Sequence, residues 1–96
     1  MITEEQVRAA YKEHGLIPAS GFINTVATGN KCCALGALMG GTGNWIKAKA
    51  LTKSPDSWAF GFDDGFNGAG YSITSIRDTE EYHEGYAIGV ALRERP

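Results

Sequence analysis

The sequence predicts a mainly α fold, a small single domain of about five short helices spanning residues 1–96, and three observations predict it. Helix-start signatures stand immediately before most of the apolar runs. Glycine and asparagine interrupt the chain at helix-length intervals, with 13 glycines in 96 residues. The composition, 43% hydrophobic and 21% charged, is that of an ordinary folded domain rather than a disordered chain.

The first helix has the clearest signals. Thr3 and Gln6 stand at capping-box spacing, Glu4 and Glu5 suit the positive helix end, and Gly15 is a natural stop. Val7, Ala10, Tyr11 and His14 share one face, with Glu4, Arg8 and Lys12 on another. Pro18 and Gly21 then break the chain, and the β-branched stretch 22–28 reads as a short strand. Asn30 is positioned to cap a helix over 31–40, and Asn44 to cap one running through Trp45, Ile46, Ala48 and Leu51. Ser54-Pro55-Asp56 joins a capping hydroxyl, a first-turn proline and an acid, which predicts a helix over 55–66. A second strand is expected at 71–76, giving one minor two-stranded β pairing with 22–28. Asp78 or Thr79 caps a last helix to about Arg93. The alternative is an α+β fold in which 58–62 is also a strand, because Trp58, Phe60 and Phe62 alternate with Ala59 and Gly61.

One spacing occurs three times. Cys33-x-x-Gly36-Ala37-x-x-Gly40 is followed by Trp58-x-x-Gly61-Phe62-x-x-Gly65 and then by Tyr82-x-x-Gly85-Tyr86-x-x-Gly89. In a helix these four positions form one stripe. A helical glycine costs about 0.8–1.0 kcal/mol relative to alanine, so something must offset the six. The expectation is close approach of helix backbones at independent tight-packing sites, with an aromatic ring from one helix over a glycine of another. The aromatic residues between Trp58 and Tyr86 should then form core.

Net charge is −2 and the nine basic residues are dispersed, the densest group being Lys47, Lys49 and Lys53, so nucleic acid is disfavoured as a partner. The acidic start lacks the basic and apolar regions of a signal peptide, and no stretch has the length of a membrane span. The two cysteines are adjacent and read as reduced thiols, so a cytoplasmic location without membrane association is expected.

Cys32 and Cys33 are the thiol candidates for a small thiol-dependent or redox enzyme, although cysteine in so apolar a run is more often core. Zinc would require both cysteines with His14 and His83, and neither histidine has the needed spacing. Asp63-Asp64-Gly65-Phe66-Asn67-Gly68 fails as a calcium loop, since Thr74 occupies the position that requires glutamate. Asp63, Asp64, Glu81 and Glu84 are candidates for an acidic face if the last two helices pair. Residues 40–44 read as a turn, without the lysine of a P-loop. His14 is expected in the core and His83 in solvent, and no serine sits in a Gly-x-Ser-x-Gly elbow. These readings name no catalytic residue, metal or cofactor.

The run from Cys32 to Leu38, with Gly61-Phe62-Asp63 and the terminal Leu92-Arg93, resembles a pattern found in small bacterial and phage-encoded proteins with no attached activity. The resemblance implies a bacterial or phage origin and no mechanism. The leading functional expectation is a non-enzymatic binding or regulatory protein acting through protein–protein contacts. The thiol enzyme and a ligand- or metal-binding accessory domain are the alternatives. A homodimer is also expected, because ten aromatics in so short a chain exceed what one small core covers readily. Tyr82, Tyr86, Ile88, Val90 and Leu92 on the last helix are the interface candidates.

Overall fold

The computed structural model describes residues 1–69 and 79–96. Among the described residues there are five helices and one two-stranded parallel sheet: α1 (Glu4–His14), β1 (Ile17–Pro18), β2 (Lys31–Cys32), α2 (Ala34–Leu38), α3 (Trp45–Ala48), α4 (Pro55–Phe66) and α5 (Glu80–Glu94). The mainly α expectation holds, and residues 58–62 are helical.

Local chemistry sets the helix ends. The Thr3 hydroxyl accepts from the Gln6 backbone while the Gln6 side chain accepts from the Thr3 N–H, completing the capping box. Gly15 closes α1 in the left-handed region at φ 63°. Asn44 caps α3 through Lys47 N–H, and Thr79 caps α5 through Tyr82 N–H. At α4 the proline occupies the first turn, but the Ser54 side chain makes no capping hydrogen bond.

Three expectations need correction. Residues 22–28 form bends and turns rather than a strand, and the other expected strand, 71–76, lies outside the described residues. The parallel pair forms instead between Ile17–Pro18 and Lys31–Cys32. The helix expected over 31–40 is only Ala34–Leu38, because Lys31 and Cys32 are drawn into the sheet and Cys33 takes the N-cap in an extended conformation. His14 is exposed, although Val7, Ala10 and Tyr11 on its face are buried.

The most extensive contact between elements joins α4 to α5. Gly61 lies against Tyr82 and Tyr86, and Gly65 against Tyr86 and Val90, so the two helices run in the same direction. A β-carbon on Gly61 would stand 3.0 Å from the Tyr86 nitrogen and nearer still to the Tyr82 carbonyl oxygen. One on Gly85 would meet the Trp58 carbonyl in the same way. Gly65 faces the Tyr86 carbonyl and Gly89 the Phe62 carbonyl.

The second and third copies of the repeated spacing therefore interlock position for position. In each copy the carbonyl of the aromatic residue covers the glycine that follows the matching aromatic of the other. This is one reciprocal seam rather than a set of independent sites, and backbone carbonyls, not rings, cover the glycines. Each glycine Cα–H aimed at a carbonyl contributes about 0.5–1 kcal/mol, comparable to the propensity lost by using glycine. The net gain comes from what the close approach encloses. Trp58, Phe62 and Tyr82 are fully buried, and Trp58, Phe62 and Phe66 stack along α4 with centroids 5.9 and 5.6 Å apart. The first copy does something else: Gly36 admits the Ile23 carbonyl from a loop, and Gly40 turns the chain at φ 71°.

Elsewhere in the core, Val7, Ala10 and Tyr11 of α1 pack with Cys32, Cys33, Leu35 and Ala37. The amino terminus is tied to α5, since Glu84 accepts from Ile2 N–H at 2.6 Å. Arg8 donates to the Ala91 carbonyl at 3.0 Å.

Candidate functional site

Two stripes run along α4. Trp58, Gly61, Phe62 and Gly65 turn toward α5, whereas Asp56, Ala59, Phe60 and Asp63 fall at helical positions i, i+3, i+4 and i+7 on another face. This second stripe forms one wall of a cleft of about 450 Å³. Gly21, Phe22 and Ile23 form the facing loop, Cys33 contributes from the N-cap of α2, and Trp45 from the start of α3.

Several bonds hold the loop in place. Asp63 Oδ1 accepts from Gly21 N–H at 3.1 Å, and the Ser20 hydroxyl donates to Asn67 Oδ1 at 3.0 Å. The Phe22 carbonyl accepts from Cys33 N–H at 2.6 Å. Missing side-chain volume at Gly36 lets the Ile23 carbonyl settle on α2. Farther along, Thr25 N–H donates to the Gly41 carbonyl at 3.0 Å. The cleft is thus formed by a loop with its own anchors on α2 and α4.

Three large apolar side chains are left partly in solvent around this cleft: Phe22 at 42% exposure, Trp45 at 43% and Phe60 at 43%. Among the described residues, two carboxylates and no basic side chain line it. Burial raises the Asp63 carboxyl above its ordinary range, against the Gly21 hydrogen bond that lowers it, and the neighbouring Asp64 charge raises it further. A second groove of about 440 Å³ shares Trp45 and Asp56 with the first and carries Lys49 and Lys53.

The thiol candidates are both buried. Burial pushes the Cys33 thiol up to about 11, outweighing the Gly36 and Leu35 backbone hydrogen bonds that favour the thiolate. The Cys32 thiol is raised by burial as well. A protonated thiol is a weak nucleophile, and neither His14 nor His83 lines the cleft beside Cys33. Among the described residues, the lining combines large apolar side chains with two carboxylates and a thiol whose burial favours the protonated form.

The four acidic candidates are given different settings. Asp63 faces the loop, Asp64 accepts from the Tyr82 hydroxyl at 2.6 Å, and Glu84 holds the amino terminus. Glu81 lines a shallow groove with Met1, Lys53 and Glu84. No group of three His, Cys, Asp or Glu among the described residues could hold a metal ion. Of the interface candidates, Tyr82, Ile88 and Leu92 are buried within the chain itself, which leaves Tyr86 and Val90 partly covered. The Tyr86 hydroxyl donates to the Ala69 carbonyl at 3.0 Å.

Sequence reasoning missed Phe22, Trp45, Asp56 and Phe60. Asp56 looked like a helix-start acid, Phe22 the first residue of a strand, and Trp45 an ordinary residue of the helix capped by Asn44. The i, i+3, i+4, i+7 stripe from Asp56 to Asp63 was the available signal, hidden by its more apolar neighbour.

No protein family, curated protein or solved structure compared with the chain matches it. Among the described residues, no helix is long and apolar enough to cross a membrane.

Proposed function

We propose that this chain is a non-enzymatic binding module that acts through protein–protein contacts, with the aromatic cleft as its contact surface. The observation that carries the reading is the convergence of Phe22, Trp45 and Phe60, each over two-fifths exposed, on one cleft braced by a packed core. Partly exposed aromatics gathered at a concave site are what binding hot spots use. A regulatory protein of bacterial or phage origin, as the Cys32–Leu38 resemblance implies, fits this design. Two buried free thiols fit a reducing compartment, which supports a cytoplasmic location.

Site-specific photo-crosslinking tests the reading. Benzoylphenylalanine at position 45 or 60 should join the protein to one discrete partner in cells of its host, whereas the same group at exposed Lys12 should not. Equal labelling from all three positions would remove the cleft from consideration. The thiol-enzyme alternative is tested by iodoacetamide, with both cysteines expected to react only as fast as the chain unfolds. Rapid alkylation of Cys33 in the folded protein would favour that alternative.

A further inference from the structure

We propose that the cleft seats an arginine side chain of a partner polypeptide, its guanidinium stacked on the exposed aromatic rings and paired with Asp63; this rests on reading the cleft as a protein-binding surface. Charge complementarity selects the occupant. Asp56 and Asp63 stand two helical turns apart, about 10 Å along α4, with Ala59 as a small floor between them. Among the described residues no lysine or arginine lines this cleft, and Lys49 and Lys53 belong to the neighbouring groove beyond Trp45.

Asp56 borders both grooves, which leaves Asp63 as the carboxylate belonging to the first alone. Gly21 N–H holds Asp63 Oδ1, which fixes the carboxylate at the lining of the cleft. A half-buried carboxylate is costly to ionise unless a cation joins it, and burial already opposes its charge. Trp45, Phe22 and Phe60 supply ring faces and edges at the same opening. A planar guanidinium uses both features, stacking on aromatics while donating to carboxylates, and is less strongly hydrated than an ammonium. The cleft exceeds the volume of one side chain, so residues flanking the arginine would rest against Ile23 and Ala59.

The test is an NMR titration of isotope-labelled protein with N-acetyl-Gly-Arg-Gly-amide, against the same peptide bearing citrulline, a neutral group of equal shape. The arginine peptide should shift the amides of Gly21, Phe22, Cys33 and Ala59 and the Trp45 indole. The citrulline peptide should bind about tenfold more weakly, the scale of a hydrogen bond to a charged group. Asp63→Asn should remove that preference and leave citrulline binding unchanged, and Phe60→Ala should weaken both peptides. Equal binding of the two peptides would overturn the arginine assignment while leaving the crosslinking result, and with it protein docking, intact. Absence of shifts at the cleft would overturn it too, as would shifts spread equally over Glu80, Glu81 and Glu84.

Discussion

The two faces of α4 solve opposite problems with the same backbone. On the seam face every glycine of one helix meets a carbonyl of the other, and the aromatic side chains between them are enclosed. On the cleft face, aromatic rings remain partly in water and a carboxylate sits half-buried against its charge. The cost of helical glycine is offset by what the seam encloses, whereas the cleft face keeps large apolar side chains over two-fifths exposed. Partly exposed aromatics gathered at a concave site are where binding surfaces are expected. Phe60 and Phe62, two residues apart, give the sharpest contrast between the faces.

Phe62→Ala should be the most damaging change, costing about 3–5 kcal/mol, because the ring is wholly buried in the stack with Trp58 and Phe66. Phe60→Ala should cost less than about 1 kcal/mol, since the ring is 43% exposed and alanine is the better helix former. Urea denaturation of both variants checks the pair. Equal losses would erase the distinction between the faces.

Next in size come Gly61→Leu and Gly85→Leu. Overpacking a close contact costs about 1–3 kcal/mol, and the upper part of that range applies here because the obstacle is backbone carbonyl rather than a movable side chain. Gly61→Ala sharpens the test. At an open helical position it would stabilise by about 0.4–1 kcal/mol, and at the seam the sign should reverse. Variants that unfold at the parent's urea midpoint would show that the helices can part without loss.

This seam was largely legible in the sequence, because the matched spacing of Trp58, Gly61, Phe62 and Gly65 with Tyr82, Gly85, Tyr86 and Gly89 is itself the contact list. What the spacing did not show was the partner atom, since a carbonyl leaves no mark in a sequence. The cleft was much less legible. Its residues come from a loop, a helix cap, a four-residue helix and α4, and hydrogen bonds distant in sequence, such as Gly21 to Asp63, bring them together. The strand expected at 22–28 failed for the same reason. Its β-branched residues satisfied a local preference, but the loop's polar groups bond to Asp63, Gly41 and Cys33 instead.

Tyr11→Phe tests the support beneath the cleft. The buried hydroxyl donates to the Cys32 carbonyl at 2.7 Å, joining α1 to the segment that presents Cys33. Its removal should cost about 1 kcal/mol and leave the carbonyl with the Ala19 N–H at 3.1 Å. Denaturation measures the loss, while the amide shifts of Phe22 and Cys33 report whether the cleft moves. An unchanged midpoint would mean that the sheet alone positions this floor.

The smallest expected effect is Asp63→Asn, and it alone should have the opposite sign. Burial, aided by the Asp64 charge, raises the folded-state pKa of Asp63 above its unfolded value, although Gly21 N–H pulls the other way. The folded protein therefore holds this proton more tightly than the unfolded chain. Any stability linked to that proton is present below the ordinary carboxylate range and is lost as pH rises through the raised pKa. Asparagine keeps an oxygen for Gly21 N–H and carries no charge to bury. The variant should match the parent in acid and become slightly the more stable of the two as pH approaches neutrality. Denaturation midpoints across that range, compared pair by pair, make the measurement. If the parent instead gains on the variant with rising pH, the ionised carboxylate is already compensated within the chain, and the cleft face resembles the seam after all.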